Sequence, residues 1–98
     1  DFYATWCGPC RVLEPILDEL YTEYDGKIDI YKVNTEDEQE LGLRFGIRSI
    51  PTLMIFRQGI SIFSHSGTLA VADIKDLITK AKSLDMDAVR KELTEESE

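Results

Sequence analysis

Residues 1–10 read Asp1-Phe2-Tyr3-Ala4-Thr5-Trp6-Cys7-Gly8-Pro9-Cys10, and the reading of the fold turns on them. Aromatic residues favour strands, so Asp1 to Tyr3 is expected to be the end of a buried strand, with Gly8-Pro9 as the break after it. From Cys10 onward Val12, Leu13, Ile16, Leu17, Leu20, Tyr21 and Tyr24 fall three and four positions apart. That spacing fits one buried helix face ending before Gly26. Cys7 is thereby placed in a loop between a strand and the N-terminus of a helix. Pro15, inside that helix, removes one hydrogen bond and is expected to bend it locally.

The position of the cysteines decides their chemistry. The attacking species in disulfide exchange is a thiolate, and a cysteine at its ordinary pKa of about 8.5 is only a few per cent ionised at neutral pH. A helix N-terminus aimed at Cys7 favours the anion through its dipole and its free amide donors. Lowering the pKa by about one unit requires roughly 1.4 kcal/mol of charge stabilisation, which a helix end and a second thiol can supply. With Cys10 one turn on, Cys7 can attack a substrate disulfide and Cys10 can resolve the mixed disulfide. Gly8 and Pro9 shape the turn, Pro9 starting the helix where an amide donor would be unpaired. Trp6 is expected to be exposed beside the thiol, offering a flat apolar surface to a substrate; the alternative is a core tryptophan. The Cys-x-x-Cys spacing also fits half of a zinc site, but the chain offers only His65 and carboxylates to complete one. His65 then reads as an ordinary strand residue.

Composition narrows the alternatives. At 98 residues the chain is expected to be one domain with a single core. It is 43% hydrophobic but has no apolar run of about 18 residues, so no membrane span is expected. No signal peptide is expected either, since the first residues lack a basic start and a long apolar stretch. A net charge of -8 with no visible basic patch argues against nucleic acid. Two cysteines are too few for a disulfide scaffold, and a bridge closing so short a loop constrains the unfolded chain little.

Downstream, Lys27 to Val33 reads as a strand with Ile28, Ile30 and Lys32 on one side. A lysine on such a face reads first as an edge or snorkelling residue. Glu36 to Arg44 reads as a short helix, acidic at its start and ending near Gly46, that covers the sheet with Leu41 and Phe45. Ile50-Pro51-Thr52 opens a strand through Leu53-Met54-Ile55-Phe56, where a proline is tolerated at the first position. Gln58-Gly59 is a turn signal, Ile60 to Ser66 pairs back, and Gly67 breaks that strand. Ala72 to Lys82 is a helix burying Ile74, Leu77, Ile78 and Ala81. Residues 84–98 carry six acids against Arg90 and Lys91. They are expected to form an acidic extension with a weak helix at Met86, Val89 and Leu93, and Thr94 to Glu98 frayed or disordered.

The opening decapeptide, with Pro15-Ile16-Leu17-Asp18-Glu19, Tyr24, Lys32-Val33-Asn34 and Phe45-Gly46-Ile47-Arg48-Ser49-Ile50-Pro51-Thr52, closely resembles thioredoxin. The match runs from Asp1 to about Lys82. It implies an α/β thioredoxin fold: a central mixed β-sheet flanked by helices, with residues 1–83 as the domain and 84–98 as the acidic extension. Relative to the family pattern the first strand, the first helix and most of the central strand are absent from this chain, which reads as a fragment or incomplete record of a longer one. By resemblance Cys7 is the attacking thiol and Cys10 the resolving one. Pro51 matches the family's cis-proline, which offers the Ile50 backbone to a substrate chain by strand augmentation. Gly67 and Thr68 match the loop that completes the substrate groove. Asp1 matches a buried acid that accepts a proton from Cys10 through water, its pKa raised by an apolar site, and Lys32 matches the lysine near it. Ala70 stands where the family often has a serine, so a weaker helix cap is expected.

The implied function is that of a general protein disulfide reductase without a bound cofactor or metal, serving proteins with exposed disulfides. A cytoplasmic setting and an NADPH-dependent thioredoxin reductase as electron donor are expected with it. Gly-Pro between the cysteines resembles the reducing members of the superfamily. The alternatives are an exported thiol oxidase or isomerase, and a binding module in which the thiols are incidental.

Overall fold

The computed structural model describes residues 1–96. Strand β1 (Phe2–Tyr3) is followed by helix α1 (Gly8–Tyr24), β2 (Val33–Asn34), α2 (Gln39–Arg44), β3 (Thr52–Arg57), β4 (Ile60–Ser66), α3 (Val71–Ser83) and α4 (Met86–Glu96). The strands form one mixed sheet in the order β2-β1-β3-β4. β1 runs parallel to β2, in register Phe2 with Val33, and antiparallel to β3, Phe2 facing Thr52. β3 and β4 form a hairpin from Thr52–Ser66 to Arg57–Ile60, with an irregularity between Ile55 and Phe56.

The hairpin closes where the sequence places its turn. Gln58 and Gly59 both have positive φ, 53° and 79°, the pair of left-handed positions that matches strand twist in a two-residue turn. On one face of the sheet α1 and α3 bury Leu13, Leu17, Leu20 and Ile74 together, with Leu53, Leu69 and Ile78 packed against them. On the other, Phe45, just past α2, meets Phe2 at 5.8 Å and Phe56 at 5.6 Å between ring centroids. That contact is the covering role expected of Phe45.

Four differences from the sequence-based expectation have physical causes. Lys27–Lys32 is not a strand: β2 is confined to Val33–Asn34. The ladder starts at Asp1, whose carbonyl accepts Val33 N–H at 2.8 Å and whose amino group donates to the Tyr31 carbonyl at 2.9 Å. Upstream of Tyr31 the alternating pattern has no neighbouring strand among the described residues to pair with, and an open cleft of about 780 Å³ lies there, bordered by Ile28, Ile30, Phe2 and Ile55. Second, α1 begins at Gly8 and its buried stripe is narrower than the apolar pattern: Val12 is 62% and Tyr21 50% exposed, because the contact runs through Leu13, Leu17 and Leu20 with Ile16 and Tyr24 packed against them. Third, α2 starts at Gln39 rather than Glu36, since Asn34 Oδ1 accepts the Glu36 N–H at 2.9 Å and holds those residues in a turn.

The fourth concerns the acidic extension. Thr94–Glu96, expected to fray, are helical, and Ser97 and Glu98 lie outside the described residues. Asp85 Oδ1 accepts the amides of Asp87 and Ala88, capping α4, while Met86 is buried. Arg57 Nη1 donates to the carbonyls of Ala81, Lys82 and Leu84, so a strand residue terminates α3 and fixes the start of α4. The N-cap of α3 is Ala70 with no side-chain bond, in line with the weak cap expected there. α1 continues through Pro15. No described helix is long and apolar enough to cross a membrane.

Candidate active site

Cys7 is the N-cap of α1, in extended conformation with φ -83° and ψ 113°. An N-cap residue turns its side chain back over the first turn, where backbone amides have no helical partner. Here the side chain is a sulfur, and Cys7 Sγ accepts the Cys10 N–H at 3.2 Å. Cys10, one turn on, points to the same place: the two sulfurs form a disulfide, S–S 2.27 Å, with Cα atoms 5.2 Å apart. The first turn, Gly8-Pro9-Cys10-Arg11, carries no acid, so nothing there opposes the positive end of the helix dipole.

The sulfurs are less open than the sequence reading had it. Cys7, which as an attacking thiol at a helix end is expected to be exposed, is only 4% accessible; Cys10 is 3%. The cause is local packing: the disulfide folds both side chains onto the helix end, against Ala4, with Tyr3 and Ile50 closing over the cluster. Exposure belongs instead to the flanks. Gly8 and Pro9 are exposed. Trp6, 66% exposed, lies beside the disulfide as expected of a surface residue, its indole N–H donated to Glu36 Oε1.

Across from the disulfide, the Ile50–Pro51 peptide is cis and Pro51 is fully buried. Thr52 Oγ1 donates to the Ser49 carbonyl at 2.6 Å, and the Gly67 N–H donates to the Pro51 carbonyl at 2.8 Å. The fold therefore brings Cys7, Cys10, Ile50, Pro51 and Gly67 to one end of the sheet from three separate stretches of chain. Thr68, next to Gly67, is exposed. Between Trp6 and the Ile50 loop a surface depression of about 410 Å³ is lined by Trp6, Thr35, Leu43, Arg48 and Ile50.

Asp1 and Lys32 are placed differently from one another. Asp1 begins the central ladder, and its Oδ1 is buried with no hydrogen-bond partner. Burial, and then the nearby positive charge of Lys32, pushes the Asp1 amino group down to about 6. Lys32 lies close enough to be felt there, yet its ammonium is engaged on α1, 2.8 Å from Asp18 and 3.6 Å from Glu14. Among the described residues it makes no ion pair with the Asp1 carboxylate. The hydrogen bond from Lys32 to Asp18 is the main cause of a raised Lys32 pKa.

Two residues at the site escaped the sequence reading. Glu36 anchors Trp6 from thirty positions away, and no local spacing signals such a contact. Arg11 Nε donates to the Thr5 carbonyl at 3.0 Å, tying the loop before Cys7 to the first turn of α1. A basic residue directly after the second cysteine is the only trace of it in the sequence. No cluster of metal-ligating side chains occurs among the described residues.

Comparison with known proteins follows the same lines. The family model described as Thioredoxin matches residues 1–80. Thioredoxin 1 of Nostoc is 42% identical over 80 residues, 82% of this chain and 75% of its own length. Thioredoxin of Haemophilus influenzae is 41% identical over 80 residues, again 82% of this chain and 75% of its own. Among solved structures, the germline-specific thioredoxin Deadhead of Drosophila melanogaster superposes with a TM-score of 0.75 at 34% identity, covering 82% of this chain and 75% of that one.

Proposed function

Because this chain belongs to the thioredoxin family, dithiol–disulfide oxidoreductases acting on protein disulfides, we propose that Cys7 is the attacking thiol of the reaction and Cys10 the resolving one. The observation that carries the assignment is the Cys7 sulfur at the N-terminus of α1, accepting an amide of the unopposed first turn. A group held there is stabilised as an anion in preference to the thiol one turn inside the helix.

The reaction then runs as follows. In the reduced protein the Cys7 thiolate attacks one sulfur of a substrate disulfide, forming a mixed disulfide and expelling the other substrate sulfur as a thiolate, which takes up a proton. Cys10 loses its proton and attacks Cys7 Sγ, which breaks the mixed bond and releases the second substrate thiol. Two electrons have passed to the substrate, and the protein is left with the Cys7–Cys10 disulfide. We assign Asp1 as the acceptor of the Cys10 proton, through water, with Lys32 tuning it. The buried, unpartnered Asp1 Oδ1 supports the first role; the engagement of Lys32 with Asp18 and Glu14 makes the second an indirect one.

A substrate chain is proposed to lie along Ile50-Pro51, bonded through the Ile50 backbone, between Trp6, Gly8 and Pro9 on one side and Gly67 and Thr68 on the other. Main-chain pairing gives affinity without sequence selectivity, which suits a general reductase. An NADPH-dependent thioredoxin reductase is the proposed electron donor. The cytoplasm, where thiols are kept reduced, is the proposed setting. Residues 1–83 form the redox domain in this reading and 84–98 an appended segment.

The test is a pair of variants. Cys7→Ser and Cys10→Ser should each abolish insulin reduction, and Cys10→Ser should accumulate mixed disulfides with substrate proteins. Trapping by Cys7→Ser instead would reverse the two roles. A redox potential at the oxidising end of the glutathione scale would point to the oxidase reading.

A further inference from the structure

We propose that Arg11 is a positioning residue for this reaction: its Nε–H, donated to the Thr5 carbonyl, holds the Thr5-Trp6-Cys7 loop on the first turn of α1 after the disulfide opens. The proposal rests on Cys7 being the attacking thiol.

What ties the loop to the helix depends on the redox state. In the oxidised protein the S–S bond does so covalently. When that bond is reduced, the remaining ties at Cys7 are main-chain ones, the Cys7 N–H to the Ala4 carbonyl at 3.2 Å and the Arg11 N–H to the Cys7 carbonyl at 3.2 Å, together with the Cys10 N–H to Cys7 Sγ. Upstream of Cys7, Thr5 and Trp6 are exposed. Trp6 is bonded to Glu36, outside α1, and Arg11 Nε to the Thr5 carbonyl at 3.0 Å is a side-chain bond that ties this loop to the helix. The bond spans six positions and bridges over Cys7.

The consequence falls on the sulfur. A thiolate at Cys7 is stabilised only while the N-cap geometry keeps it within reach of the amides of the first turn, and hydrogen bonds to an anion fall off steeply with distance and angle. Freeing Thr5 leaves that loop held through Trp6 to Glu36 and no longer to α1, and loosens Cys7 Sγ from the Cys10 N–H. Arg11 therefore acts on the thiolate through backbone geometry, and its charge is secondary at an exposed position.

The experiment titrates the Cys7 thiolate by its ultraviolet absorbance in the reduced full chain, for wild type, Arg11→Met and Arg11→Lys, at low salt and at about 1 M salt, where the Debye length is about 3 Å. Arg11→Lys keeps the charge but puts a methylene where Nε–H stands. Both variants should titrate at higher pH than wild type, on the order of half a unit, an approximately threefold smaller thiolate fraction at neutral pH. The shift should persist at high salt. An unshifted Arg11→Met, a shift that salt abolishes, or an Arg11→Lys that titrates like wild type would each overturn the clamp. Thermal melts of the oxidised forms check folding, and should Arg11→Met fail to fold, Arg11→Lys carries the test alone. Insulin reduction by wild type is measured alongside: its absence sinks the reductase reading, whereas an active wild type with unshifted variants sinks only the role of Arg11.

Discussion

The Gly67 N–H is bonded to the Pro51 carbonyl at 2.8 Å, which locks the loop after β4 against the one before β3. Gly67 holds this bond at φ 100°, a conformation in which a Cβ meets its own backbone. Space is not the constraint, since the nearest outside atom to an added Cβ is His65 Nε2 at 4.0 Å. Gly67→Ala is therefore expected to destabilise the fold by roughly 1–2 kcal/mol, from backbone strain alone, as read by urea denaturation. Reduction of a protein disulfide should slow more than reduction of a small aromatic disulfide if the former uses the substrate groove proposed between Ile50-Pro51 and Gly67.

Leu13 has no accessible surface and sits at the centre of the cluster with Leu17, Leu20 and Ile74. Leu13→Ala should cost about 2–5 kcal/mol, the transfer term plus the cavity left in α1's contact face. Domains of this size have total stabilities of about 5–15 kcal/mol, so the variant should show a large fraction of unfolded chain in a thermal melt. Val12→Ala, beside it on the exposed side, should change stability by less than about 0.5 kcal/mol.

Lys32 offers a pH test. Its pKa is raised above the ordinary 10.5 by Asp18 and Glu14, so the stabilisation is fully present below 10.5 and is lost as pH rises through the higher folded-state value. Both acids are more than half exposed, at 63% and 58%, which limits the effect to about 0.2–1 kcal/mol. Lys32→Met should be less stable than wild type by that amount at neutral pH, and the gap should close at alkaline pH above 10.5. A fall in reductase rate without a change in thermal midpoint would place the influence of Lys32 at the thiols.

Arg57 is the fourth test. One guanidinium nitrogen serves the carbonyls of Ala81, Lys82 and Leu84 at 2.8–3.1 Å. Replacing it by methionine removes the guanidinium from all three carbonyls, leaving Ala81 with the Leu84 N–H at 3.4 Å, and should cost about 1.5–3 kcal/mol, the range for hydrogen bonds to a charged group. α4 should be released first, so limited proteolysis is expected to cut between Ser83 and Met86 well before the rest of the chain unfolds.

What was legible in the sequence was whatever local chemistry encodes. The β3–β4 hairpin could be read because Gln58-Gly59 must turn left-handed, and α1 because its leucines repeat at helical spacing. Cys7 at a helix start followed from Gly8-Pro9. The failures are of one kind, where a partner distant in sequence decides. Lys27–Lys32 alternates like a strand but has no strand beside it among the described residues, and Val12 and Tyr21 share a periodicity with buried leucines yet stay exposed. The burial of Cys7 depends on Ala4 and Ile50 meeting over the disulfide. Within the site, Pro51 and Gly67 were placed by resemblance, whereas Glu36 and Arg11 emerged only when the backbone brought them to Trp6 and Thr5.

The two sulfurs are three positions apart at one end of one helix, so the bond made and broken in each cycle closes a ring inside a single turn. No strand, and no helix other than α1, is cross-linked by it. Opening that ring frees no other element, so whatever tells the two redox states apart by this bond has to read it at the single helix end where both sulfurs lie.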